Sequence, residues 1–238
     1  MTSANQRQII LHSILAGLTP LIPMPFLDDL VKTYFKRRMV RRLAAAHSQL
    51  LGDADVETLS DDKDSGCLVG CLTTVVIYPL KAIFRKIFFF LEWKRAIDTV
   101  SHTYYQGFLV EFALAERWLV PAGSIAATDA RRVSDHLLQQ VNTSLIERAV
   151  RGVFSQSKAT IKKAANLLKE GMRRLTRRPS PAQVAEAIAP VEAAEEKELE
   201  GVVAQLQNAI ERIPASHFDQ LRDQFAAAFG FYRSDERR

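Results

Sequence analysis

Apolar positions recur along most of the chain at intervals of three and four, and alternating runs bounded by turn dipeptides are nearly absent. The pattern predicts an all-α protein, a multi-helix bundle with a Pro-rich apolar loop between two of its helices. Residues 6–18 read as a first helix, ended by Thr19-Pro20. The stretch 19–27 (TPLIPMPFL) holds prolines 20, 23 and 25 and is that rigid loop. Asp28 or Asp29 should cap a second helix running to Leu51, with Gly52 as its stop, and residues 53–66 read as an acidic loop. An apolar run over 67–78 meets a break at Pro79, and a long helix follows to about Leu119. After Pro121-Ala122-Gly123, a helix capped by Thr128 is expected to continue past Phe154 to Leu175.

Ser180-Pro181-Ala182-Gln183 is a strong helix start: Ser as cap, Pro at the first position, Gln three residues after the cap. The linker before it, Arg177 to Pro181, divides the chain into a main helical domain, 1–178, and a C-terminal helical segment, 179–238, that packs on it or on a partner. Leu199, Val203, Leu206, Ile210 and Ile213 step by 4, 3, 4 and 3, a seam too short for a coiled coil and suited to packing in a bundle or dimer. Past Pro214, a last helix opened by Ser216 and stopped by Gly230 carries the stripe Phe218, Leu221, Phe225 and Phe229.

Two features raise the membrane. Residues 9–27 hold no charge over nineteen positions, but three prolines oppose a continuous spanning helix. A secretory leader is also disfavoured, because no small-residue cleavage site follows and Asp28-Asp29 come next. Cys67 to Leu80 has fourteen uncharged residues, short for a span, and leads through Lys81, Arg85 and Lys86 to Phe88, Phe89 and Phe90. Apolar residues interleaved with cations suit an in-plane membrane segment or a core helix with snorkelling lysines. Over 158–175, Ile161, Ala164, Ala165, Leu168, Met172 and Leu175 fall in one arc, extended upstream by Val150 and Phe154. Lys162, Lys163, Lys169, Arg173 and Arg174 lie opposite. That helix could lay its stripe in lipid, or pack the stripe on the core and offer only its cations.

Charge sharpens this picture. The chain has 32 Lys and Arg against 27 Asp and Glu, and the modest +5 conceals large blocks. Residues 32–42 and 158–178 are strongly basic; 53–64 and 185–200 are strongly acidic. Such blocks either face anionic and cationic partners or neutralise one another within the fold, and the helix at 30–43 could pair with the acidic stretch 53–64.

Catalytic signatures are missing. No G-x-S-x-G, G-x-G-x-x-G, P-loop or H-E-x-x-H occurs, and the five histidines are dispersed. Asp98 and His102 share a helix face without the Glu-x-x-His pairs of a di-metal bundle. Cys67 and Cys71 read as small packing hydrophobes. The stretch 53–64 imitates a calcium loop in its first acids, but Thr58 and Asp64 stand where Gly and Glu are needed, so tight calcium binding is not expected. No enzyme activity, metal or cofactor is therefore expected. Nucleic acid is a poor partner because the second basic block has no aromatic to stack on bases.

The segment Leu21-Ile22-Pro23-Met24-Pro25-Phe26-Leu27-Asp28-Asp29 resembles the apolar P-x-P…D loop of bacterial EcsC-like proteins, with Phe26-Leu27 where that pattern often has glycine. The resemblance spans nine of the 238 residues and implies a helical, membrane-associated, non-catalytic protein. The expected function is peripheral binding to an anionic membrane surface, on the cytoplasmic inner face. The proposed contacts are Ile22, Met24, Phe26, Phe88, Phe89, Lys162, Lys163, Lys169, Arg173 and Arg174. The alternative is a soluble helical scaffold binding a partner protein or a second copy.

Overall fold

The computed structural model describes residues 1–22, 27–60, 85–119, 124–173, 175 and 179–235. These residues are all-α, in nine α-helices without strands. In chain order the helices are α1 (Ser3–Leu18), α2 (Asp28–Ala46), α3 (Asp53–Ser60), α4 (Arg85–Ala115), α5 (Ser124–Gln140), α6 (Ser144–Gln156), α7 (Lys158–Met172), α8 (Pro181–Glu211) and α9 (Ala215–Asp235). A 3-10 turn, Thr19–Leu21, follows α1.

α1 is the axis of the bundle. Every residue from Ile9 to Leu18 is buried, so this stretch of α1 has no solvated side. It packs against α2, α4, α7 and α8, which explains the long uncharged run without a membrane. Its approach to α4 is close: a Cβ on Gly17 would lie 2.2 Å from Val100 Cγ2 and 2.9 Å from the Ala96 carbonyl oxygen. Gly107 of α4 likewise faces Ile9 and Met39, where a Cβ would come within 3 Å of both.

The stripes on the other helices also turn inward. Ile161, Ala164, Ala165, Leu168 and Met172 of α7 are buried, with Val150 and Phe154 of α6. The seam Leu199, Val203, Leu206 and Ile210 of α8 is buried too. On α9, Phe225 and Phe229 stack on Trp118 at ring-centroid distances of 5.8 and 4.8 Å. Ser180 caps α8 in a complete capping box: its hydroxyl accepts from the Gln183 N–H, and the Gln183 side chain accepts from the Ser180 N–H.

Five boundaries differ from the sequence expectation. α2 ends at Ala46 rather than Leu51, and α4 at Ala115 rather than Leu119. Both stop in a Schellman turn. Gln49 N–H bonds to the Ala44 carbonyl and Ser48 N–H to that of Ala45; Trp118 N–H bonds to Ala113 and Arg117 N–H to Leu114. The left-handed residues are Ser48, φ 55°, and Arg117, φ 56°, where a glycine is usual. Third, the acidic stretch is helical from Asp53 to Ser60, because Val56 and Leu59 bury one side and Gly52 supplies its first carbonyl. Fourth, the helix drawn from Thr128 to Leu175 is three: α5, α6 and α7. Ser157 interrupts the last two, its hydroxyl donating to Gln205 of α8. α9 in turn runs through Gly230 to Asp235. Arg117→Gly should raise stability by about 1 kcal/mol by relieving the left-handed backbone, measured by urea unfolding.

Candidate functional site

The charge blocks meet on α2. Arg37 bonds to Glu57 at 2.6 Å and Arg41 to Asp53 at 2.7 Å, tying α2 to α3. The other side of α2 reaches the acidic block of α8. Arg42 donates to Glu192 at 2.9 Å and to Glu196 at 2.6 Å, and Arg38 to Glu192 at 3.4 Å. The first basic block is therefore paired with acids of α3 and α8.

Glu192 is the centre of a buried cluster. Tyr34 donates its hydroxyl to Oε2 at 3.2 Å. From α1, His12 brings Nε2 to 3.7 Å from Oε1, while its Nδ1–H donates to the Gln8 carbonyl at 2.8 Å. Burial alone would raise the Glu192 carboxyl; His12, Arg38 and Arg42 outweigh it and hold it at about 2. Tyr34 is raised by burial and by the Glu192 charge. One turn along α8, Glu195 is 0 % exposed and neither of its carboxyl oxygens has a protein hydrogen-bond partner. An open cleft of about 330 Å³ lies beside the cluster between α1 and α8, lined by Arg7, Gln8, Leu11, Glu196, Lys197 and Glu200 among others. Half of its lining residues are charged, Arg7 and Lys197 beside Glu196 and Glu200.

A second polar set joins α1, α4 and the end of α2. Asn5 donates to Glu111 at 3.3 Å, and His47 Nε2 lies 3.4 Å from the same oxygen. It ties three segments together. Half-buried Asp98 is raised by burial and by Glu147, against Lys94 and Arg151. Among the described residues no three His, Cys, Asp or Glu side chains are placed to hold a metal ion. Asp53 and Glu57, offered as calcium-loop acids, are helical and engage arginines.

The expected lipid contacts separate. Ile22 is 4 % exposed and belongs to the core cluster, because the turn after α1 folds it inward; it is a packing residue. Met24, Phe26 and Arg174 lie outside the described residues, and of Phe88 and Phe89 the structure describes only the helical backbone. Lys163 bonds to Glu198 of α8 at 2.5 Å and Arg173 to Glu170 at 3.0 Å. Lys162 is exposed and Lys169 half-buried. With the α7 stripe taken up by the core, the arrangement in which that stripe enters lipid does not occur in this fold.

The exposed apolar surface lies elsewhere, at the start of α4. Phe90 is 67 % and Leu91 48 % exposed, and one turn on stand the exposed cations Lys94 and Arg95. The apolar run in the sequence points to Phe90 but not to Lys94 or Arg95. The i, i+4 spacing of Phe90 with Lys94 and Leu91 with Arg95 was the signal. No helix among the described residues is long and apolar enough to cross a membrane. No protein-family model, curated protein or solved structure matches the chain.

Proposed function

We propose that this protein is a non-enzymatic helical protein that docks peripherally on an anionic membrane surface through the amino-terminal end of α4. The observation that carries the reading is the exposed pair Phe90 and Leu91 with Lys94 and Arg95 one turn on. Aromatic and aliphatic side chains beside cations suit the boundary between acyl chains and charged headgroups. The cytoplasmic leaflet, with its negative surface potential, is the matching surface, and each nearby cation contributes about 1 kcal/mol. Lys169 on α7 adds longer-range attraction. Chain adjacency favours the same end, because four residues separate the uncharged run Cys67 to Leu80 from the start of α4. The EcsC-like segment, Leu21 to Asp29, supports the same class of function.

Vesicle flotation tests the reading. Binding should be at least about tenfold stronger to vesicles containing anionic lipid than to neutral ones, and should fall in 1 M salt, where the Debye length is about 3 Å. Phe90→Ser with Leu91→Ser, or Lys94→Glu with Arg95→Glu, should each abolish it while helix content is kept. Binding to neither vesicle would reject the membrane reading and leave the patch to a partner protein.

A further inference from the structure

Glu195 has no role in this reading, yet it is among the most completely buried side chains of the molecule. It sits on the face of α8 that packs against α1, α2, α6 and α7. The titratable and charged groups brought there are few. α1 contributes His12 and α2 contributes Tyr34, Arg38 and Arg42, and all four engage Glu192 rather than Glu195. α7 brings its apolar stripe, with Lys163 bonded to Glu198. α6 brings Ile146, Val150, Val153 and Phe154. On α8 itself the neighbour is the Glu192 carboxylate. Among the described residues, an ionised carboxyl in this position lacks both a cation and a hydrogen-bond donor, so burial disfavours the charged form.

We infer that Glu195 is carried as the neutral acid and that its proton latches α8 into the groove between α1 and α7, so that losing the proton loosens this seam ahead of the rest of the bundle. Burial, then the Glu192 charge, push the carboxyl up to about 8 from its ordinary 4.5. The closed seam therefore holds a proton that the opened seam releases. Between those two pH values, opening should become about tenfold more favourable per pH unit. Pro190 lies five residues before Glu195 and donates no N–H to the carbonyl one turn back, so α8 has a weak point from which the seam can part.

The test is amide hydrogen exchange of the full chain from pH 5 to pH 8, wild type against Glu195→Gln, each pH compared at the same intrinsic exchange rate. Protection of α8 residues 192–206 in the wild type should fall relative to the variant by about tenfold per pH unit, with α4 and α9 unaffected. Glu195→Leu should behave like Glu195→Gln, which guards against a packing defect peculiar to the amide. In the wild type alone, infrared spectroscopy should show the carbonyl stretch of a protonated, non-exchanging carboxylic acid at neutral pH, absent from Glu195→Gln. Parallel protection in all three proteins, or no protonated acid at neutral pH, would overturn the inference; the latter would mean that a bound cation or water keeps Glu195 ionised. These readouts need no membrane, so their failure is distinct from failure of the docking proposal.

Discussion

Leu168→Ala should lower the free energy of unfolding by about 2–5 kcal/mol, with a drop in melting temperature on the order of 10 °C. Leu168 is 0 % exposed at the centre of the α7 stripe, where α7 lies along α8. Shortening it removes transfer free energy and leaves a cavity that the neighbours cannot easily fill, because Gly171 one turn on already brings α7 against Ala187, Ile188 and Val191. Guanidinium unfolding with an unchanged denaturant slope would measure the loss. Vesicle binding by the fraction still folded should stay as in the wild type, since the stripe faces protein. A melting temperature within 1–2 °C of wild type would mean that the stripe is not core.

Glu192→Gln should cost about 3 kcal/mol, the low end for breaking a buried ion pair, because Arg42 keeps Glu196 and Gln8. His12 is fully buried and loses the carboxylate it faces. The pH dependence identifies the cause. The Glu192 carboxyl is held at about 2 in the folded state against an ordinary 4.5. Its stabilising contribution is thus complete above about 4.5 and is lost as the pH falls towards 2. The wild-type melting temperature should fall steeply over that acid window, and the variant's should fall less. Glu195 acts in the opposite direction at higher pH, so these two carboxyls together place the stability maximum near pH 4–5. Acid limbs of equal slope in both proteins would remove Glu192 from the account.

Much of this fold was legible in the sequence because one physical signal repeats in it. Three-and-four spacing marked the α7 stripe, the α8 seam and the α9 aromatics; most of these positions are buried, while Leu175, Ile213 and Phe218 at their ends are half-buried. Ser180 was legible because its capping box is local. The helix ends at Ser48 and Arg117 were not, since the chain uses left-handed residues other than glycine and the cap is visible only in backbone angles. The break at Ser157 was hidden for a related reason: neither Gly nor Pro marks it, and part of what holds it is Gln205, forty-eight residues away. The charge blocks were visible but their pairing was not, because Arg42 and Glu192 are 150 residues apart. A signal for the buried acids did exist. Continuing the seam upstream from Leu199 by 4 and 3 lands on Glu195 and Glu192, acids on a stripe otherwise apolar from Val184 to Ile210.

The position of α1 has a consequence for how the chain is made. Its buried residues touch α2 and α4, but also α7 and α8, whose residues follow by more than 140 positions. During synthesis at about 5–20 residues per second, the apolar stretch Ile9 to Leu18 must wait on the order of 10 s or more before its last walls emerge. Native contacts of such sequence separation are slow to form, and the waiting surface is adhesive. The nascent chain is therefore expected to be a client for holding chaperones until α8 appears. Moving α1 to the carboxyl end by circular permutation should shorten that dependence without altering the finished core.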